Sequence, residues 1–406
     1  MSEGSERRFV PWTASVLVGL AAVLAYLPPV RSVGLRTDVG GHLLIAQRMD
    51  LTGEAFGSFY LFEQLTIIVR ALVPFGFLSA VAPEALTRWQ IWQISGVLVV
   101  LGAVAATSQL LLVRFAHATP VALSRRRRVE LASAATLGLL VAAPLTFLTW
   151  GRRHLLTGYV ATTHYESPTT TLLHPFALAL FWYLADRWDR PRTTRREVAI
   201  AALLTVLALH AKATFVLVFG PVVAVGLVAA TLRGRRVGRA LLVVGFLLPA
   251  AVVLVAQALV FLSEGGIGFG PLESVRAMLE GVGLPLWMAV PMLAGSLALP
   301  IAVAVVHRRA LRRSISLLAA WGMVVVGAAV FYLLSITGRT DYGDLVGGLQ
   351  VAAFVLFAES VRLGLAEHEP GTLRRGEVVL VGVALAHVAC GAFLWYHEVV
   401  HPAAWW

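Results

Sequence analysis

Residues 12–42 read WTASVLVGLAAVLAYLPPVRSVGLRTDVGGH. Through Val30 this is an apolar run long enough to cross the hydrocarbon core as a helix, which takes about 18 residues or more. Arg36, Asp38, two glycines and His42 follow at once. A carboxylate, an imidazole and bare backbone therefore stand where the chain should leave a membrane. Arg7 and Arg8 before the run suggest a signal peptide. However, the run ends in Leu27-Pro28-Pro29-Val30-Arg31 with no small-x-small cleavage site, so it reads as a retained first span.

The rest of the chain extends this reading. Of 406 residues, 58% are hydrophobic and only 14% charged, with a mean hydropathy of +0.80. A soluble protein keeps about a quarter of its residues charged. The expected fold is an all-α polytopic membrane protein: one membrane-embedded domain over residues 1–406 with about 11 transmembrane helices, in a range of about 10–12. The net charge of +11 invites a nucleic-acid reading. The distribution argues against one, because the basic residues cluster briefly between apolar runs, as topology requires. Membrane lipids, not nucleic acid, are the expected surroundings. Cys390 is the single cysteine, so neither an internal disulfide nor a thiolate metal site can form.

Spans are predicted at 12–29, 89–113, 131–149, 171–186, 197–211, 213–232, 240–262, 285–306, 314–335, 345–363 and 378–396. With the N-terminus inside, 23 of the 33 cationic residues fall on the cytoplasmic side, which is the arginine bias that sets orientation. The expected location is the cell inner (plasma) membrane, multi-pass, with a cytoplasmic N-terminus. One segment decides the pattern. The run from Leu61 to Ala82 is apolar enough to cross, but crossing would invert everything after it. It also carries Glu63, Gln64 and Arg70, each costly at membrane depth. It is therefore read as an interfacial or re-entrant helix within a first extracytoplasmic loop over 30–88. A later extracytoplasmic loop spans 263–284, with a short surface helix expected over Leu272 to Leu279.

The predicted spans 131–149, 171–186 and 197–211 are short for a bilayer. Short helices draw their connections below the surface, where irregular backbone must line an enclosed or watery cavity. The uncommon polar residues collect at the same outer face. They include Asp38 and His42, then Arg152, Arg153, His154, His164, Tyr165, Glu166 and Ser167, then His210 and Lys212, and finally Arg339, Asp341, Tyr342 and Asp344. Lys212 is the only lysine in the chain.

Each of these has a bland reading beside a functional one. Asp38 can cap a helix, or it can act as a general base whose acidity is tuned by burial and nearby arginine. His42 lies four residues on, so a helix puts both on one face. That pair would also admit a divalent cation, although two ligands do not make a site, and no metal ligands are assigned. Arg152 and Arg153 can snorkel to headgroups or clamp a phosphate. Lys212, between two spans, needs an anion. His164, Tyr165 and Glu166 offer hydrogen bonds to a sugar or acceptor. Arg339 and Asp341 sit in a turn-like segment that can rim a cavity.

The order of a first span, an outer loop opening on an acidic residue, an interfacial helix and many further spans resembles the polytopic GT-C-fold glycosyltransferases, which use polyprenyl-phosphate-linked sugars on the non-cytoplasmic face. The resemblance implies a membrane glycosyltransferase that moves a sugar from a lipid-linked donor to a glycan, lipid or protein acceptor. Asp38 occupies the place of the base, and Arg152, Arg153 and Lys212 the places that hold the carrier phosphate. Val39 stands where an acidic pair often continues. Two other classes compete. A transporter or flippase of lipid-linked or anionic substrate would share the cavity but should show repeats or broken helices in both halves. His397-Glu398-Val399-Val400-His401 matches H-E-x-x-H, so a membrane zinc metalloprotease is the third reading.

Overall fold

The computed structural model describes residues 10–32, 38–52, 61–72, 88–146, 159–161, 167–261, 267–281, 283–336, 343–369 and 374–400. The helices in chain order are α1 (Trp12–Ser32), α2 (Asp38–Thr52), α3 (Leu61–Leu72), α4 (Arg88–Ala118), α5 (Arg125–Val141), α6 (Pro168–Ala185), α7 (Arg195–Ala211) and α8 (Thr214–Leu232). Next, α9 (Arg239–Leu242) runs through a π-helical turn, Val243–Leu247, into α10 (Leu248–Phe261). The series continues with α11 (Glu273–Glu280), α12 (Ala289–Ser296), α13 (Ala298–Val306), α14 (Arg308–Leu311), α15 (Ile315–Leu333), α16 (Gly343–Ala366) and α17 (Arg375–Val400). Among the described residues, seven segments are long and apolar enough to cross a membrane: Trp12–Arg31, Trp89–Ala118, Thr214–Leu232, Arg239–Leu259, Ile315–Leu333, Leu345–Ala366 and Arg375–Val400. The pair α12 and α13, bent by 57° at Leu297, makes an eighth if it is one span. The protein is thus an all-α polytopic membrane protein. Leu318, Val325 and Val255, exposed on these helices, are the side chains a bilayer would cover.

Three helices are shorter: α5 and α7 have 17 residues each and α6 has 18. Their positions follow the sequence reading, with one difference. The predicted span 131–149 is a helix that starts earlier, in the run Arg125 to Arg128, and stops at Val141. The Ser124 hydroxyl opens it by accepting from the Arg127 N–H at 3.4 Å. Pro144 disfavours helical geometry at the residue before it, and residues 142–145 leave the helix. Their backbone is bonded to neighbours instead. The Ala143 N–H donates to the His387 carbonyl at 3.1 Å, and the Leu145 N–H to the Gly295 carbonyl at 3.2 Å. The His387 Nδ1–H returns a bond to the Ala143 carbonyl at 2.6 Å. Ala142 and Ala143 are buried, so this irregular backbone lies inside the protein, where its polar groups must find partners.

Of the run from Leu61 to Ala82, residues Leu61–Leu72 form α3, and 73–82 lie outside the described residues. α3 is amphipathic. Phe62, Glu63 and Thr66 are buried while Ile68 and Leu72 are exposed. α2 and α3 pack on each other and on α4. Gly96 makes room there, since a Cβ at that position would come within 2.6 Å of Leu43.

The expected surface helix over Leu272 to Leu279 is α11, shifted by one residue. Leu272, at φ 64°, turns the chain into it. A two-stranded antiparallel sheet that the sequence reading lacks braces this region. β1 (Ile267–Phe269) pairs with β2 (Leu334–Ile336), with Ile267 opposite Ile336. Three-residue strands are too short to show an alternating pattern.

At the end of the bundle where α4 and α6 finish, Arg114 grips Asp186 with two bonds of 2.8 Å. Glu359, fully buried on α16, accepts from Trp182 Nε1 at 2.7 Å, from Ser316 at 2.5 Å and from Arg362 Nε at 3.0 Å. A buried carboxylate with this many donors is satisfied, and it pins α6, α15 and α16 together.

Candidate functional site

Asp38 is the first residue of α2, where the positive end of the helix dipole favours a carboxylate. His42 sits one turn later. Its Nε2 lies 3.6 Å from Asp38 Oδ1, so the two share a face, as the spacing predicts. On its other side, His42 Nδ1 is 2.5 Å from Glu63 Oε1. The ring of His42 also stands edge-on to Phe62, with centroids 5.8 Å apart. The imidazole is thus held between two carboxylates. The Asp38 side chain is half-exposed at 49%, His42 is at 19% and Glu63 at 2%.

Burial opposes charging of His42. The hydrogen bond that His42 donates to Glu63 and the charges of Asp38 and Glu63 outweigh it, and the His42 pKa is raised above 6.5 even though Lys212 pushes the other way. That last influence places Lys212 close enough for its charge to act on this cluster. The contacts agree, since α3 packs against both α6 and α7.

Lys212 follows α7 directly as its C-terminal cap residue and is 9% exposed. Its Nζ donates to Thr170 Oγ1 at 3.2 Å. Thr170 in turn donates to Ser167 Oγ at 3.0 Å. Gly347 gives the ammonium space, since a Cβ there would stand 3.3 Å from Nζ and 3.7 Å from Thr214 Cγ2. Thr170 and Thr214 belong to the first turns of α6 and α8, and Gly347 to the second turn of α16. Two helix N-termini, those of α6 and α8, therefore lie beside one buried ammonium. Each presents free N–H groups and a positive partial charge, and together with the lysine they form an environment for an anion.

Two buried polar atoms here lack a hydrogen-bond partner among the described residues: Glu63 Oε2 and Thr214 Oγ1. Buried polar atoms are normally satisfied, so both are places where a ligand donor or acceptor would be favourable. His174, one turn along α6 from Thr170, is buried and stacks on Phe354 at 4.1 Å. Gln350 is buried on α16, one turn on from Gly347.

Of the predicted residues, the structure pairs Asp38 with His42 directly, while Lys212 bonds Thr170 and reaches His42 only through its charge. Arg152, Arg153, His154, His164, Tyr165, Glu166, Arg339, Asp341 and Tyr342 lie outside the described residues. Glu63 was read from sequence only as a charge too costly to cross a membrane. That cost was its one signal, and burial against His42 is what offsets it. Thr170, which bonds Lys212, carries no sequence signal of its own. Its place beside Lys212 depends on how α6 meets α7.

The H-E-x-x-H motif falls at the end of α17. His397 lies there with Glu398, which is 2% exposed, while His401 lies outside the described residues. Among the described residues no group of three or more His, Cys, Asp or Glu side chains is placed to hold a metal ion. No match to the chain was found among models of protein families, among curated proteins or among solved structures.

Proposed function

We propose that the chain is a plasma-membrane glycosyltransferase that moves a sugar from a polyprenyl-phosphate carrier to an acceptor hydroxyl on the extracytoplasmic face. The observation that carries this reading is the buried Lys212, set at the starts of α6 and α8, with its charge acting on His42 of the Asp38–His42–Glu63 cluster. A phosphate site beside an acid–base site is what this transfer requires. In this reading the chain makes eleven crossings of GT-C type, with α5, α6 and α7 as short spans and the N-terminus cytoplasmic. The arginine bias supports that orientation.

Asp38, the most exposed of the three, takes the proton from the acceptor hydroxyl as its oxygen attacks the anomeric carbon. The bond from that carbon to the phosphate oxygen breaks. Lys212 and the helix N-termini stabilise the negative charge left on the carrier phosphate. His42, fixed by Glu63, positions Asp38 and the acceptor. Glu63 Oε2 and Thr214 Oγ1 are available to substrate hydroxyls or phosphate oxygens. Arg152, Arg153, His164, Tyr165, Glu166, Arg339 and Asp341 complete the substrate contacts in this reading.

The test is binding of polyprenyl phosphate to purified protein, with Lys212→Gln as the variant. The wild type should bind it, and removing one desolvated charge contact should weaken binding by about 1.5–3 kcal/mol, roughly 10- to 100-fold. Equal binding by both would remove Lys212 from the site. The bend at Leu297 and the π-turn at Val243–Leu247 are the broken helices a transporter would use, and both lie in the second half of the chain. Carrier uptake into vesicles without sugar transfer would favour that alternative.

A further inference from the structure

A cavity lies toward the opposite ends of α6 and α8 from Lys212. It is bounded by the last turns of α6, the middle and later turns of α8 and the first turns of α15, and has a volume of about 290 Å³. Counted along α8 at 1.5 Å per residue, its lining runs from about 10 Å from Lys212 at Phe219 to about 30 Å at Arg233. Its inner wall is aromatic, with Phe181 and Phe219 5.4 Å apart. Gly226 opens it. A Cβ there would come within 2.8 Å of Trp188 Cη2, so the bare backbone lets the indole pack close against α8. The cavity opens sideways between α8 and α15, where the lining residues Val225 and Leu318 are exposed at 69% and 48%. In a bilayer that mouth faces acyl chains.

The cavity has one polar edge. Arg233 and Arg235, both exposed, line it where α8 ends. Arg235 is 3.3 Å from Asp189, an exposed carboxylate that offsets part of its charge. Arg233 has no carboxylate partner among the described residues. Arg190 and Arg236 flank the pair. An apolar slot that opens laterally just below an arginine cluster at a span end has the polarity of a phospholipid: acyl chain below, headgroup phosphate at the arginines. The volume sits at the low end of ligand cavities, enough for part of one chain. Excess positive charge selects an anionic headgroup.

We propose that this cleft is a binding site for an anionic glycerophospholipid of the phosphatidylglycerol type, with one acyl chain in the cavity and the phosphate on Arg233 and Arg235. The site is separate from the proposed transfer site and does not depend on it. Interfacial arginines contribute roughly fivefold each to anionic lipid attraction.

The experiment is native mass spectrometry of the full-length protein, titrated with phosphatidylglycerol and phosphatidylcholine of matched chains. Wild type should retain phosphatidylglycerol preferentially. Arg233→Gln/Arg235→Gln should cut that preference by roughly 20-fold, while Arg125→Gln/Arg126→Gln, on the separate helix α5, should keep it. Ala229→Phe, which fills the cavity, should lower retention of both lipids. Equal retention of the two lipids by wild type, or a preference that survives in Arg233→Gln/Arg235→Gln, would overturn the proposal. Unchanged retention in Ala229→Phe would overturn the seat of the chain. The arginine variants change exposed residues, so they test the proposal even if Ala229→Phe does not fold.

Discussion

Glu63 and His42 are 21 residues apart in sequence and 2.5 Å apart in space, and the chemistry of the site depends on that pairing. His42 has its pKa raised by Glu63 and Asp38 against the effect of burial. The sign of the linkage follows. A histidine whose folded pKa lies above its unfolded value of 6.5 contributes stability that is fully present below 6.5 and is lost as pH rises through the folded pKa. Glu63→Gln removes the charged partner. The variant should therefore unfold about 1.5–3 kcal/mol more easily than wild type at low pH, with the gap narrowing as pH rises. Thermal unfolding of both proteins in detergent over a pH series measures this, and a gap that widens with pH would contradict the pairing. Half of this arrangement could be read from the sequence. Asp38 and His42 at i, i+4 predict a shared helix face, and Glu63 is conspicuous as a charge in an apolar run. That Glu63 meets His42 depends on α2 and α3 docking over Gly96, which is a tertiary event with no local signal.

Helices and their junctions carry the next level of control. The apolar runs located the long helices well, because about 20 apolar residues have few alternatives to a crossing helix. The runs failed where packing ends a helix. The α5 termination at Val141 answers to Pro144, to the hydrogen bonds exchanged with His387 and to the one donated to the Gly295 carbonyl, not to hydropathy. Gly391 is part of this junction. A Cβ there would collide with the Val141 carbonyl oxygen and would lie 3.0 Å from the Ala143 nitrogen. Gly382, on the same helix, has nothing within 4 Å of a built Cβ. Gly391→Ala should lower stability by about 1–3 kcal/mol through overpacking. Gly382→Ala should leave it unchanged or raise it slightly, since alanine is the better helix former. Parallel melting curves would decide, and equal effects from the two substitutions would mean that α5 and α17 do not meet as described. The convergence of α6, α8 and α16 at Lys212 is likewise invisible in sequence. The sequence marks Lys212 only as the single lysine, and its surroundings come from three helices distant in sequence.

The whole molecule has a polarity that the arginines record. Arg114, Arg187, Arg233 and Arg362 gather where α4, α6, α8 and α16 end. Asp38, His42 and Lys212 gather where α6, α8 and α16 begin. The proposed orientation puts the second group outside the cell. Cys390 is buried, so single cysteines can be introduced against a quiet background. Glu280→Cys should react with an impermeant maleimide in intact cells, and Arg126→Cys only after permeabilisation. The reverse pattern would invert the topology and place the site in the cytoplasm.

The central claim is that the Lys212 anion site and the Asp38 cluster perform one sugar transfer. The most direct measurement is release of polyprenyl phosphate from a panel of polyprenyl-phosphate sugars, in vesicles carrying wild type or Asp38→Asn with membrane acceptors present. We expect turnover of at least one donor by wild type. Asp38→Asn should lose about 100- to 10,000-fold, the scale of general base catalysis, while still inserting into the membrane and binding the carrier. Turnover by Asp38→Asn equal to wild type, or no turnover of any donor by wild type, would contradict the account.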